Sequence, residues 1–139
     1  MPLTVKQLND GQGVVYTASG KLTGTEVVAA LAEVEAPDHA PTTIVYAFFD
    51  FDDVTGVEVS TPQLRQMAEI AIHASRRGAV GRVVAIYAKD DLPFALARMW
   101  MVFVEQAGWE TAVFRTRSEA LAWVRKRVAE KRGVNVQLE

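Results

Sequence analysis

The sequence predicts an α/β fold: a single-domain mixed five-stranded sheet with a parallel core and about four helices, ordered β-β-α-β-α-β-α-β-α. Three observations carry this reading. Residues 43–49 and 83–88 are apolar almost throughout, and a strand that is apolar on both faces has to be covered on both, which places these two at the centre of a sheet. Helix-start signals recur between the strands, and parallel strands joined by helices need right-handed crossovers. An Asp-Gly pair near the N-terminus adds an antiparallel hairpin at one edge.

Taken in order, residues 4–8 and 14–19 read as strands, the second rich in β-formers, with Asn9-Asp10-Gly11 supplying the positive φ of a tight turn. Thr23-Gly24-Thr25-Glu26 is a capping box: the Thr23 hydroxyl accepts from the Glu26 amide and Glu26 reaches back. Pro37 and Pro41 mark a loop that includes His39. Ser60-Thr61-Pro62-Gln63 opens the second helix, with Pro62 in the first turn, where its missing N–H costs nothing. That helix, 62–77, should bury Leu64, Met67, Ala68, Ala71 and Ser75 and expose His73. Asp90 or Asp91 serves as an acidic N-cap for the third. After a short strand at 111–115, Thr116-Arg117-Ser118-Glu119 opens the last helix, 118–131, which should bury Ala120, Leu121, Val124 and Val128, with Trp123 at the flank. Its basic end complements the helix dipole and is too narrow for a nucleic-acid face.

The third helix, 92–106, has too many apolar sides. Leu92, Ala95, Leu96, Met99, Val102 and Phe103 form the expected core stripe, and Phe94, Ala97, Trp100, Met101 and Val104 cover most of the remaining circumference. A helix that is apolar nearly all round is expected to be buried on two sides. Phe94, Ala97, Trp100, Met101 and Val104 are therefore the candidate interface or apolar pocket: aromatics, Met and one Arg suit a dimer or partner surface, and Met with aromatics suits an adaptable apolar site.

Composition limits the chemistry. With 139 residues the chain is long enough to bury a core without staples, and zero Cys excludes disulfides, thiolate metal sites and cysteine nucleophiles. Two His and a net charge of -2 argue against a His-rich metal site and a dedicated nucleic-acid binder. The first residues carry no signal-peptide pattern, and no apolar run reaches the roughly 18–20 residues of a membrane span, so a cytoplasmic protein is expected. One domain over 1–139 is expected, with a core at about 13–127 and a tail at about 133–139.

No phosphate-cradling loop, dinucleotide fingerprint or nucleophile elbow occurs, so no catalytic residue and no cofactor is predicted. Acidic residues cluster where central strands are expected to end: Asp50, Asp52 and Asp53 after one, Asp90 and Asp91 after the next, with Lys89 beside them. Ligands tend to sit beyond the carboxyl ends of such strands, and Asp50, Asp52 and Asp90 could hold Mg²⁺ in a receiver-like domain. That is the weakest of three readings.

Several short strings, in order, resemble the STAS superfamily and within it the SpoIIAA-like (STAS/SEC14-type) bacterial proteins. They are Gly20-Lys21-Leu22-Thr23, the strand ending in Asp50-Phe51, Arg82-Val83-Val84-Ala85-Ile86, and Phe114 with Glu119-Ala120-Leu121-Ala122-Trp123-Val124. Together they span roughly residues 13–127. The resemblance implies the fold given above and, in anti-sigma antagonists, a phosphorylated Ser at the start of the helix after the central strand. Ser60 and Thr61 stand at that place, as phospho-acceptor or helix cap, while Glu58, Val59 and Pro62 depart from the family pattern. The resemblance extends to CRAL-TRIO lipid-binding proteins, whose helices enclose an apolar ligand. The leading expectation is a small non-enzymatic domain that binds a protein partner or itself as a homodimer; the second is an apolar small-molecule or lipid carrier of the same fold.

Overall fold

The computed structural model of the chain describes residues 3–36 and 43–138, so the loop with His39 lies outside the described residues. The five strands are β1 (Leu3–Leu8), β2 (Gly13–Thr23), β3 (Tyr46–Glu58), β4 (Val83–Tyr87) and β5 (Glu110–Phe114), and they lie side by side in that order. β1 is antiparallel to β2, and the three remaining pairings are parallel. The helices are α1 (Gly24–Val34), α2 (Thr61–Arg76), α3 (Asp91–Phe103) and α4 (Arg117–Arg132). The mixed sheet with a parallel core is the one the sequence predicts.

Sequential parallel strands with right-handed crossovers keep every connecting helix on one face. α1, α2 and α3 accordingly cover one side, and α4, which leads to no further strand, covers the other. The pleat divides the core between them. Val14, Tyr16, Ala47, Phe49, Val84 and Ile86 point to the three-helix side. Val15, Tyr46, Phe48, Val83, Ala85 and Tyr87 point to Ala120, Leu121, Val124 and Val128 of α4, the residues expected to be buried there. One helix is too narrow for a five-stranded sheet, and the C-terminal segment fills part of the gap with buried Val136 and Leu138. Asn9 fastens it. Its Nδ2 donates to the Asn135 carbonyl at 2.7 Å, its Oδ1 accepts from the Gln137 amide at 3.1 Å, and the Tyr46 hydroxyl donates to the same Oδ1 at 2.5 Å. Asn9 and Asp10 both take φ 53°, the left-handed conformation that Asn and Asp tolerate in tight turns.

The helix starts follow their cap residues. Thr23 accepts from the Glu26 amide, Ser60 and Gln63 close a full capping box, and Thr116 accepts from the Glu119 amide. Asp90 takes the N-cap position of α3 but makes no side-chain cap bond; Asp91 instead pairs with Arg115 at 2.7 Å. In α2 the inward face is Leu64, Met67, Ala68, Ala71 and Ala74, while Ser75 turns back to the Ile72 carbonyl and His73 is exposed.

Two expectations are corrected. β3 does not stop at Phe49. β2 also runs on, and the two pair as far as Thr23↔Glu58, past Asp50↔Tyr87, where the pairing with β4 ends. Asp50, Asp52 and Asp53 therefore lie inside a strand and not in a loop. α3 is also rotated from its expected setting, although Leu96 and Phe103 of the expected stripe do pack against the core. Pro93, Ala97 and Trp100 are buried, followed by Val104. Leu92, Met99 and Val102, expected in the core, are 54%, 39% and 62% exposed. Both faces have helical spacing, so periodicity finds two apolar stripes without saying which turns inward; the Trp100 ring, the largest surface to bury, settles it against Phe49.

Candidate ligand-binding site

β3 continues alone with β2 beyond the end of β4, so α2 starts well past the point where α3 starts. An apolar chamber of about 70 Å³ lies in the resulting wedge at the carboxyl edge of the sheet. Leu22 comes from the end of β2, Phe49, Phe51 and Val57 from β3, and Val59 from the link to α2. Val27 and Leu31 of α1, Leu64 and Met67 of α2, and Ile86 of β4 add further walls. α3 closes it with Pro93, Leu96, Ala97 and Trp100. All of these side chains are hydrocarbon or thioether except for one group, the Trp100 indole N–H. That N–H is buried and has no hydrogen-bond partner, whereas the Trp109 indole donates to the Ala79 carbonyl at 2.7 Å. A buried donor left unpaired costs about 1–3 kcal/mol.

A second chamber, about 20 Å³, shares the walls Leu31, Phe49, Met67 and Trp100 with the first and reaches a buried ion pair. Arg82 Nη1 donates to Glu35 Oε2 at 2.5 Å, with Arg82 2% and Glu35 6% exposed. The Arg82 guanidinium lies 4.7 Å over the Trp109 ring. The second Glu35 oxygen, Oε1, is buried and unpartnered. Tyr16 lines this chamber and stacks on Phe49 with ring centroids 4.3 Å apart; burial, and after it the Glu35 charge, push its hydroxyl pKa well up.

Of the five residues expected at an interface or pocket, Ala97 and Trp100 line the larger chamber. Val104 is core, Met101 is half-buried against the core, and Phe94 lies half-buried under the Arg115 guanidinium, 4.1 Å from its ring centre. Of these three only Val104 is fully buried. The ion pair was not anticipated. Its signal was Arg82 standing directly before a continuously apolar strand, where a charge has to find a buried partner.

The acidic residues of β3 are engaged separately. Asp50 accepts from Arg117 Nε at 3.0 Å. Asp52 accepts from the Tyr87 hydroxyl at 2.6 Å and lies 3.7 Å from Lys89, and the Tyr87 hydrogen bond holds its carboxyl below the usual range. Among the described residues no three carboxylate or imidazole groups assemble as metal ligands, so the trio Asp50, Asp52 and Asp90 does not come together. Ser60 is exposed and its hydroxyl accepts from the Gln63 amide at 3.2 Å; Thr61 begins α2 beside it.

All three tyrosines resist ionisation. Tyr87 is raised to about 12 by its bond to Asp52, Tyr46 to about 12 by burial, and Tyr16 is raised by burial as well. A phenol whose folded pKa lies above its unfolded value of about 10 stabilises the fold fully below pH 10, and that stability is lost as pH rises through about 12. At pH 11 the native chain should show almost no tyrosinate absorbance near 295 nm, and the urea-unfolded chain nearly all of it. Tyrosinate appearing in the folded chain with a midpoint near 10 would contradict these environments.

Among the described residues no helix is long and apolar enough to cross a membrane. No family model and no curated protein matches the chain. Among solved structures it is similar to an uncharacterised protein from the DUF3478 family with a SpoIIAA-like fold, from Shewanella loihica PV-4. The TM-score is 0.51 at 21% identity, over 88% of this chain and 91% of that one. The chain has a SpoIIAA-like fold.

Proposed function

We propose that the chain is a binding domain for a small apolar molecule, held in the chamber between the β2–β3 overhang and α1, α2 and α3. One observation carries this reading: the side chains that line the chamber are hydrocarbon, thioether or indole, with no charged group among them. Packed interiors rarely leave such a space, and ligand pockets are lined mostly by apolar side chains.

A second reading, self-association or protein binding, rests on a different surface from the one first expected. Leu92, Met99 and Val102 form an exposed apolar stripe along α3 at helical spacing. Native mass spectrometry of the freshly purified chain tests both. The first reading expects a retained apolar adduct, or one formed on adding n-octane, on a monomer. A ligand-free dimer that takes up no n-octane supports the second and contradicts the first.

A further inference from the structure

We propose that the groove between α4 and the β1–β2 hairpin docks an extended peptide of a partner protein, with aliphatic side chains two residues apart, and that residues 134–138 occupy it from within the chain. The groove lies on the opposite face of the sheet from the apolar chamber and does not depend on it. α4 packs chiefly on β4, so the β1–β2 half of that face needs another cover. Residues 134–138 supply it without forming a helix or a strand. Val136 and Leu138 are buried while Asn135 and Gln137 are exposed, the two-residue alternation of an extended chain. Both aliphatic side chains join the cluster of Val15, Tyr46 and Val124, against which Leu8 packs.

The segment is held as a peptide ligand is held. Asn9 donates to the Asn135 carbonyl and accepts from the Gln137 amide, so one side-chain amide matches the two peptide groups that flank Val136. From the other side of the groove Arg125 donates to the Leu138 carbonyl. These three bonds go to backbone, which every extended peptide offers, and selectivity is left to the seats of Val136 and Leu138. Extended peptides are recognised by this division: main-chain bonds hold them and pockets for alternate side chains select them. A helical ligand fails, because its peptide groups bond internally and leave Asn9 and Arg125 without partners. The hold is also releasable. Among the described residues the segment joins no strand ladder, its bonds to Asn9 are exposed, and two aliphatic anchors have to offset the ordering of five residues. Gly133, at φ 67°, ends α4 and gives the chain a turning point that leaves the helix in place.

A fluorescein-labelled, amidated peptide of residues 133–138, titrated by anisotropy into the full chain, tests this. Val136→Asp combined with Leu138→Asp, checked for folding by circular dichroism, frees the groove of its own segment. This variant should bind the peptide at least about tenfold more tightly than the wild type, whose segment competes at millimolar effective concentration. Adding Asn9→Gly, which keeps the left-handed turn, should weaken the peptide about tenfold. A peptide with Asp in place of both aliphatic residues should not bind. If the folded double variant does not bind the peptide, binds it no better than the wild type does, or binds the Asp peptide equally, the inference is overturned. Hydrogen exchange on the wild type needs no variant. The Gln137 amide should exchange at least about a hundredfold faster than the Ile86 amide of β4, since the segment opens without the sheet. If Gln137 exchanges as slowly as Ile86, the segment is a fixed part of the fold and the inference falls.

Discussion

Replacing Glu35 with alanine is expected to destabilise the fold by about 3–5 kcal/mol, because it strands the buried Arg82 guanidinium without its carboxylate. For a domain whose total stability is of the order of 5–15 kcal/mol, that is a large share. The pair itself contributes far less than its removal costs. Each ion loses its water on burial, and their mutual attraction only roughly offsets that loss. Glu35→Leu combined with Arg82→Met, which removes both charges at similar volume, should therefore lie much closer to the wild type than Glu35→Ala does. Urea unfolding midpoints of the three proteins check this. If Glu35→Ala lost less than about 1 kcal/mol, the guanidinium would be reaching water and the buried pair described here would be wrong.

Trp100→Ala should cost a similar amount, about 3–5 kcal/mol, since the ring is 7% exposed, packs 6.5 Å centre to centre against Phe49 and lines both chambers. Its loss leaves a larger cavity between them. Added indole should then raise the melting temperature of Trp100→Ala by several degrees and that of the wild type by less, because a ligand that binds only the folded state stabilises it. A variant as stable as the wild type would mean that the ring is not part of the core.

The sheet was legible in the sequence because its signals are local and mutually consistent. Residues 43–49 and 83–88 are apolar on both faces, and three hydroxyl caps stand where α1, α2 and α4 begin. The site was legible only in part. Trp100 and Ala97 were singled out from the surplus of apolar residues on α3, and they line the chamber. Leu92 and Val102, placed in the core by the same periodicity, are on the surface. A helix wheel fixes which residues share a face, but the direction a face takes depends on where α2 and the sheet lie. Leu22, Val57 and Val59 were missed because they reach the site only through the overhang of β2 and β3. The acidic run Asp50, Asp52 and Asp53 suggests the end of a strand, since Asp suits turns, whereas β3 runs on through it to Glu58. Glu35 and Arg82, 47 positions apart, are joined by tertiary packing that no local pattern records.

The central claim is that the chamber between the helices, with Trp100 in its wall, is a binding site for an apolar molecule, and the indole N–H resonances test it most directly. The chain has three tryptophans: Trp100 without a partner for its N–H, Trp109 bonded to the Ala79 carbonyl, and Trp123 on the opposite face of the sheet. In an ¹H–¹⁵N titration with n-octane, the Trp100 indole signal, assigned by its loss in Trp100→Phe, should shift and saturate as the chamber beside its ring fills. The Trp123 signal should stay in place. Saturable binding that moves the Trp123 signal and leaves that of Trp100 unchanged, or no saturable binding at all, would contradict the account.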